Sequence, residues 1–278
     1  MFESYKNFGL LEGKRDSDWL GGTIPYEVRN PTGDWTIFLP PGEWQTNHIV
    51  DTMACVTFSA LNSVEVQYRL LTGTHREFSD RFTAKMSGTT INGNYLYRVA
   101  DSIRKDGLVD DAEWPIPVGY TWDKYYEEIP QFIKDKGPKF LQEFDVAYEW
   151  IDFNRESLIY HLKHAPIQVT IPGHAVLAFW STLQVTKFFD SYEPFQKERT
   201  EPFGSALKIV LTRKQMNNMV MVDGQKDIWL IRGEKRSLIA NVEAFQLLGG
   251  NIDQVQKLTQ QQMDLIPNSG LMLVGANQ

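Results

Sequence analysis

Across 278 residues the chain carries a single cysteine, Cys55, so an intrachain disulfide is excluded and with it a disulfide-stapled scaffold. Basic side chains never run longer than a pair, as at Lys14-Arg15, Arg104-Lys105, Arg213-Lys214 and Lys235-Arg236, and the formal net charge is −7. That balance excludes a dominant nucleic-acid-binding surface. No apolar run approaches the ~18–20 residues of a membrane-spanning helix. The N-terminal Met-Phe-Glu-Ser-Tyr-Lys-Asn lacks the basic-then-apolar order of a secretory signal. Repeats and low-complexity tracts are absent. The expectation is a mildly acidic chain in a reducing compartment, the cytoplasm, with a phage particle left open as the alternative.

Turn residues punctuate the first 44 positions, at Gly21-Gly22, Asn30-Pro31 and Pro40-Pro41-Gly42. From Ala54 to Leu71, apolar side chains recur at Val56, Ala60, Val64, Tyr68 and Leu71, which predicts one buried face of a helix stopped by Gly73. A second helix is expected over 92–107, with Leu96, Val99 and Ile103 inward and Gly107 at its end. Asp123–Lys136, broken at Pro130, and Glu156–Lys163 are further helical candidates. After Pro166 the period changes to β-branched and aromatic runs at Ile167–Ile171, Ala175–Trp180, Leu183–Phe189 and Ala206–Leu211. Helices first and strands later predict an α+β fold with an antiparallel sheet.

Composition shifts again over Arg213–Asn218, so residues 1–212 read as the main domain and 213–278 as a small appended α/β module. That module is expected to hold strands at Met219–Val222 and Asp227–Arg232 around a turn at Asp223-Gly224. A helix over Val242–Leu248 follows, capped by Asn241 and stopped by Gly249-Gly250, and a last helix runs from Thr259 to before Pro267.

Cys55 opens the first helix, so it is either a small core hydrophobe or a nucleophile. A thiol attacks carbonyls as thiolate, and an unperturbed cysteine with pKa about 8.5 is only a few per cent ionised at neutral pH. A helix N-terminus and a neighbouring imidazolium both favour ionisation. Of the five histidines, His48, His75, His161 and His164 lie in polar or helical contexts, whereas His174 opens a strand after Pro172-Gly173. Asp190, at the end of the next strand, is placed to accept from its second ring nitrogen. A metal site from His161, His164 and His174 has no acid or thiol at ligand spacing to complete it. No cofactor-binding motif stands out.

Cys55 with Phe58-Ser59-Ala60 and Glu65 resembles the papain-like cysteine peptidases, whose nucleophile opens a helix of pattern Cys-Trp-Ala-Phe-Ser-Ala with Glu ten residues on. His174-Ala175-Val176 is similar to their His-Ala-Val, and Asp190-Ser191-Tyr192 stands at the interval of their Asn-Ser-Trp. Asn92-Gly93-Asn94 resembles the Asn-Gly-Gly bend lining the substrate cleft, and Gly107–Pro115 resembles a Gly-Leu/Ile…Tyr-Pro segment. Order and spacing agree from about residue 34 to 195. The resemblance implies a two-lobe fold, helical and antiparallel β, hydrolysing peptide or protein substrates through Cys55, His174 and Asp190. It implies substrate contacts at Gly93, Asn94 and Tyr192, and no metal or cofactor.

Several positions depart from the pattern. The family's oxyanion-holding glutamine stands six residues before the nucleophile, where this chain has Ile49; Gln45, ten before, can take the role only if the loop is four residues longer. Val56 and Tyr192 replace tryptophans, Asp190 replaces Asn, and the disulfides and the long insertion before the histidine are missing. The residues before Gln45 are expected to form the domain's own entry, with no inhibitory propeptide. The alternative expectation is a structural or binding protein of a phage particle or cell-surface assembly, keeping the scaffold with little catalysis. The appended module motivates it through a weak resemblance to modules of phage and cell-wall-associated proteins. A cleft filled by residues 1–30 or the tail would favour that alternative.

Overall fold

The computed structural model describes residues 7–15, 18, 27–214, 218–232, 235–247, 252 and 255–272. The turn expected at Gly21-Gly22 and the helix stop at Gly249-Gly250 lie outside them. The chain divides into two compact units, 1–214 and 215–278.

In the first unit, helix α1 (Cys55–Thr72) is the central element, and Gly73 ends it at φ +74°. The expected single apolar face understates its burial: every residue from Cys55 to Gln67 is buried. The reason is that α1 is enclosed on several sides. Val56, Ala60, Leu61 and Val64 pack with Leu96, Val99 and Ile103 of helix α3 (Leu96–Asp106) and with Leu207, Ile209 and Leu211. Val66 joins Trp35, Val169, Val176 and Leu177 in a second cluster, and Phe58 joins Ala54, Ala84, Tyr120 and Tyr125 in a third. Several of its buried polar side chains find partners, as burial favours, whereas Thr57 Oγ1 and Asn62 Oδ1 have none among the described residues. Gln67 Nε2 donates to Ile209 O at 3.0 Å, and Gln168 Nε2 donates to Val56 O and Ser59 Oγ, each at 2.8 Å.

Short helices complete this half: α2 (Asp80–Met86), capped by Ser79, then α4 (Trp122–Tyr125), α5 (Gln131–Lys134) and α6 (Gly137–Glu143). The helix expected over 123–136 is thus two separate turns, with Pro130 capping the second. Helix α7 (Arg155–Leu162) starts at Asn154, whose side chain accepts from Ser157 N.

The other half is a six-stranded antiparallel sheet of order β3-β8-β4-β5-β6-β7: β3 (Phe144–Ile151), β4 (Ile167–Ile171), β5 (His174–Ser181), β6 (Thr186–Phe189), β7 (Gln196–Arg199) and β8 (Ala206–Arg213). Strand β3 escaped the sequence reading although Phe144, Val146, Tyr148 and Trp150 alternate into the core. Its partner β8 lies far along the chain, with Phe144 opposite Arg213 and Ile151 opposite Ala206. The strand expected from Leu183 begins only at Thr186, because Thr182–Val185 form the turn into β6. A two-stranded parallel pair, β1 (Leu10–Leu11) with β2 (Asn94–Tyr95), stands apart from this sheet.

The second unit is a five-stranded mixed sheet of order β12-β9-β10-β11-β13: β9 (Asn218–Val222), β10 (Ile228–Arg232), β11 (Lys235–Ile239), β12 (Gln256–Leu258) and β13 (Asn268–Met272). Helices α8 (Val242–Leu247) and α9 (Gln260–Asp264) fall where the sequence placed them. Asn241 Oδ1 accepts from Ala244 N at 2.8 Å, and Thr259 with Gln262 forms a capping box. Leu230, Ile239, Ala244 and Val255 make its small core. Among the described residues of the chain, no helix is long and apolar enough to cross a membrane.

Candidate active site

Cys55 is the first residue of α1, fully buried, and its Sγ accepts a hydrogen bond from Ala175 N at 3.4 Å. The nucleophile candidate is therefore held against the backbone beside His174. His174 itself is positioned by the tight link between β4 and β5, in which Ile171 pairs with His174 and Gly173 takes φ +70° after Pro172. In β5 and β6, Leu177 lies opposite Phe189. Continuing that register puts Asp190 beside Val176, on the same face as His174 and one diagonal step away. The result is a bond of 2.7 Å between His174 Nε2 and Asp190 Oδ1. The other ring nitrogen, Nδ1, is buried with no hydrogen-bond partner among the described residues.

Asp190 is held twice more: Lys197 Nζ donates to Oδ2 at 2.6 Å, and its backbone N–H donates to Phe195 O at 2.8 Å. Burial works to raise its carboxyl pKa, but His174 and Lys197 outweigh it and hold the group below the usual carboxylate range. The thiol goes the other way. Burial pushes Cys55 up to about 12, aided by the charges of Asp51 and Asp190 and opposed by the N–H groups of Ala175 and Val56. A helix N-terminus alone does not ionise a sulfur that no water reaches.

Gln45 is fully buried and every polar group on it is engaged. Its backbone pairs with Ser191 O (3.3 Å) and Thr52 N (3.0 Å), and Oε1 accepts from Ser191 Oγ at 2.6 Å. Nε2 donates to Asp51 Oδ1 at 2.9 Å and to Phe8 O at 3.0 Å. The four extra residues seen in the sequence close on themselves: Thr46 bridges Asp51, while Asn47 Oδ1 accepts from Ile49 N and Val50 N. Ile49, at the family's glutamine position, is 90% exposed.

The N-terminal stretch expected to form the domain's own first strand and entry loop also runs across these groups, through residues 7–11. Phe8 N donates to Gly173 O at 2.8 Å, and the Phe8 ring lies 5.2 Å from His174 and 5.3 Å from Tyr192. Gly9 O accepts from Asn94 N at 2.9 Å, and Leu10 and Leu11 pair with Asn94 and Tyr95. The passage is too narrow for side chains: a Cβ on Gly9 would stand 2.0 Å from Met53 O, and one on Gly93 2.0 Å from Gly9 O. Farther on, Trp150 Nε1 donates to Asp18 Oδ2 at 2.8 Å and Arg15 Nε to Asp18 Oδ1 at 3.0 Å, anchoring the strap. Gly93, Asn94 and Tyr192, the candidate substrate contacts, all touch this segment.

Sequence reasoning therefore selected Cys55, His174, Asp190, Gln45, Gly93, Asn94 and Tyr192, which the fold gathers into one region. It missed Asp51, Lys197, the role of Ser191 and the strap. Gly9 was the available signal for the strap, since it precedes two leucines that pair in β1; nothing in the spacing marks Lys197. His161 and His164 lie elsewhere: His164 Nδ1 sits 2.8 Å from Glu27 O and His161 Nδ1 3.3 Å from Lys208 Nζ. Among the described residues, no group of three His, Cys, Asp or Glu is arranged to hold a metal ion.

No protein-family model and no curated protein sequence matches the chain. Solved structures do. Xylellain, a cysteine protease from Xylella fastidiosa, is similar at TM-score 0.56 and 14% identity, over 73% of this chain and 96% of that one. The digestive procathepsin L 3 of Tenebrio molitor larval midgut is similar at TM-score 0.52 and 14% identity, over 73% and 76%. At this identity the likeness concerns architecture, and with the helical half, the antiparallel sheet and their connectivity it establishes the fold as α+β and papain-like.

Proposed function

We propose that the chain is a cysteine-type peptidase acting through Cys55, His174 and Asp190. The observation that carries this reading is the 2.7 Å bond from His174 Nε2 to Asp190, with Cys55 Sγ against the N–H of the residue following that histidine. Asp190 fixes the tautomer and ring plane, leaving Nδ1 to exchange a proton with the thiol. The sulfur adds to a peptide carbonyl carbon while the Cys55 N–H and Gln45 Nε2 hold the oxygen. His174 then passes the proton to the leaving amine, and a water activated by the same ring releases the acyl group.

In this reading residues 7–11 are a removable occupant. Phe8 O takes the Gln45 donor and the Phe8 ring covers His174, so the described arrangement is closed to substrate. The high thiol pKa belongs to that closed arrangement. When the strap leaves, water reaches the sulfur and the thiolate–imidazolium pair becomes accessible.

The same occupancy, with His174 Nδ1 left unpartnered, favours a second reading: a binding or structural protein of a phage particle or cell surface, with the C-terminal unit as its attachment. A thiol-reactive epoxide at about pH 6, read by mass spectrometry, combined with a peptide-library cleavage screen, separates the two. Labelled Cys55, with cleavage abolished by Cys55→Ala, supports the peptidase. An inert thiol and an uncleaved library, in the wild type and equally in a Gly9→Val chain whose strap is dislodged, return the second reading.

A further inference from the structure

The strap consumes one N–H of the Gln45 carboxamide, and Asp51 consumes the other. A glutamine amide has two nearly isosteric ends, one donating and one accepting, so something must decide which end faces the reacting oxygen. Ser191 cannot decide it, because its hydroxyl donates or accepts as required. Phe8 cannot, because it stands where the substrate must enter. An ionised carboxylate only accepts, so the group facing Asp51 Oδ1 must be the NH₂ end.

Asp51 is itself secured from three directions. Oδ1 also accepts from Met53 N at 2.9 Å, and Oδ2 takes the Tyr192 hydroxyl in a close hydrogen bond. Burial and that bond together hold the Tyr192 phenol well above its usual pKa, so it stays a donor. The Tyr192 ring in turn lies 5.6 Å from that of His174. Asp51 thus belongs to the same short excursion, closed by the Thr46–Asp51 bridge, that displaces Gln45 in the sequence. The displaced glutamine and its orienting acid arrive together.

We infer that Asp51 is a positioning residue that sets the orientation of the Gln45 carboxamide, so that an N–H rather than the C=O faces the carbonyl oxygen of a bound substrate. This rests on the peptidase reading above. Phe8 O, at 3.0 Å from Gln45 Nε2, occupies that oxygen's place in the closed chain. Asp51→Asn retains the shape but offers both a donor and an acceptor, so either amide orientation is permitted. In the flipped orientation Gln45 presents an oxygen to the developing oxyanion.

The test is a double-mutant cycle on the full chain with a peptide that the wild type cleaves. Asp51→Asn is expected to lower kcat about tenfold with KM within about twofold. Gln45→Ala should lower it by about 10²-fold, the usual cost of an oxyanion donor. Because Asp51 acts through Gln45, Asp51→Asn in the Gln45→Ala background should cause no further loss. Additive losses, or an unchanged kcat in the single variant with an unchanged melting temperature, overturn the inference and leave the peptidase standing. A chain that cleaves nothing and whose Cys55 resists labelling, in the wild type and also with the strap dislodged by Gly9→Val, overturns both. Asp51→Glu, which keeps the acceptor, distinguishes orientation from packing: recovery of at least half the lost kcat is expected, and no recovery counts against the inference.

Discussion

Gln45 Nε2 donates to the carbonyl oxygen of Phe8 at 3.0 Å across 37 residues of sequence, so the chain's own N-terminal strand sits on a donor proposed for catalysis. Gly9, with φ +110° and no room for a Cβ beside Met53 O, is the residue that lets it pass.

Gly9→Val should therefore dislodge the strap. Strain of about 1–3 kcal/mol at such a backbone position shifts a closed–open equilibrium by about 5- to 150-fold. The expected outcome is faster alkylation of Cys55 and faster peptide hydrolysis, measured on the full chain. Equal rates in variant and wild type would mean that residues 7–11 do not limit access.

Lys197→Met removes one of the two side chains that hold the Asp190 carboxyl below its usual pKa. A depressed carboxyl contributes stability above its unfolded value of about 3.9, lost as pH falls through the lower folded value. The variant is expected to be less stable by about 1 kcal/mol at pH 7, where Asp190 is charged. That difference should shrink towards zero near pH 2. Urea unfolding at the two pH values checks both; a gap that persists in acid would point to packing instead.

A cluster of carboxyl groups reverses the sign. Glu43 is grouped electrostatically with Glu77, Asp80 and Asp111, and burial first, then the charge of Glu77, raises its pKa from 4.5 to about 8. Burial also raises Glu65 on α1, Asp80 on α2 and Asp111, and His75 Nε2 stands 3.4 Å from Glu77 at the margin. Buried carboxyls that repel one another cannot all be ionised. A raised carboxyl contributes its stability below the unfolded value, and this is lost as pH climbs through the folded one. Stability is expected to fall between about pH 4.5 and pH 8, and Glu43→Gln should recover a few kcal/mol at the upper end and little at the lower. A variant that melts in parallel with wild type at all pH values contradicts this.

Lys208 and Glu149 form a fully buried ion pair, Nζ to Oε1 at 2.6 Å, between neighbouring strands β8 and β3. Lys208→Ala should cost about 3–5 kcal/mol by leaving a buried carboxylate uncompensated, whereas Lys208→Met with Glu149→Leu should restore most of it. Denaturant titrations of the three chains decide, and an equally unstable double variant would rule out an ionic origin of the loss.

Local chemistry made much of this legible in advance. The spacing of Val56, Ala60 and Val64, and Gly73 behind them, located α1 to within a residue; Asn241 and Thr259 marked the starts of α8 and α9. Caps and periodicity act over three or four residues and are written where they act. Strand β3 was not legible, because its pairing with β8 spans most of the sheet-forming half. The sites of Cys55 and His174 were readable from neighbouring residues, whereas Lys197 reaches Asp190 only through the closure of β6 on β7.

Residue order alone was enough to place the thiol at a helix mouth, the histidine at a strand start and an acid at the end of the next strand. These are short-range matters of backbone preference and register. Tertiary structure alone decided what surrounds the sulfur. It folded residues 46–51 back so that Asp51 meets Gln45, and it threaded Phe8 and Gly9 over His174. The physical reason is that hydrogen bonds and burial at this site join residues as far apart as Phe8 and Gly173. Chain closure over such distances depends on the whole core, and no window of sequence contains it.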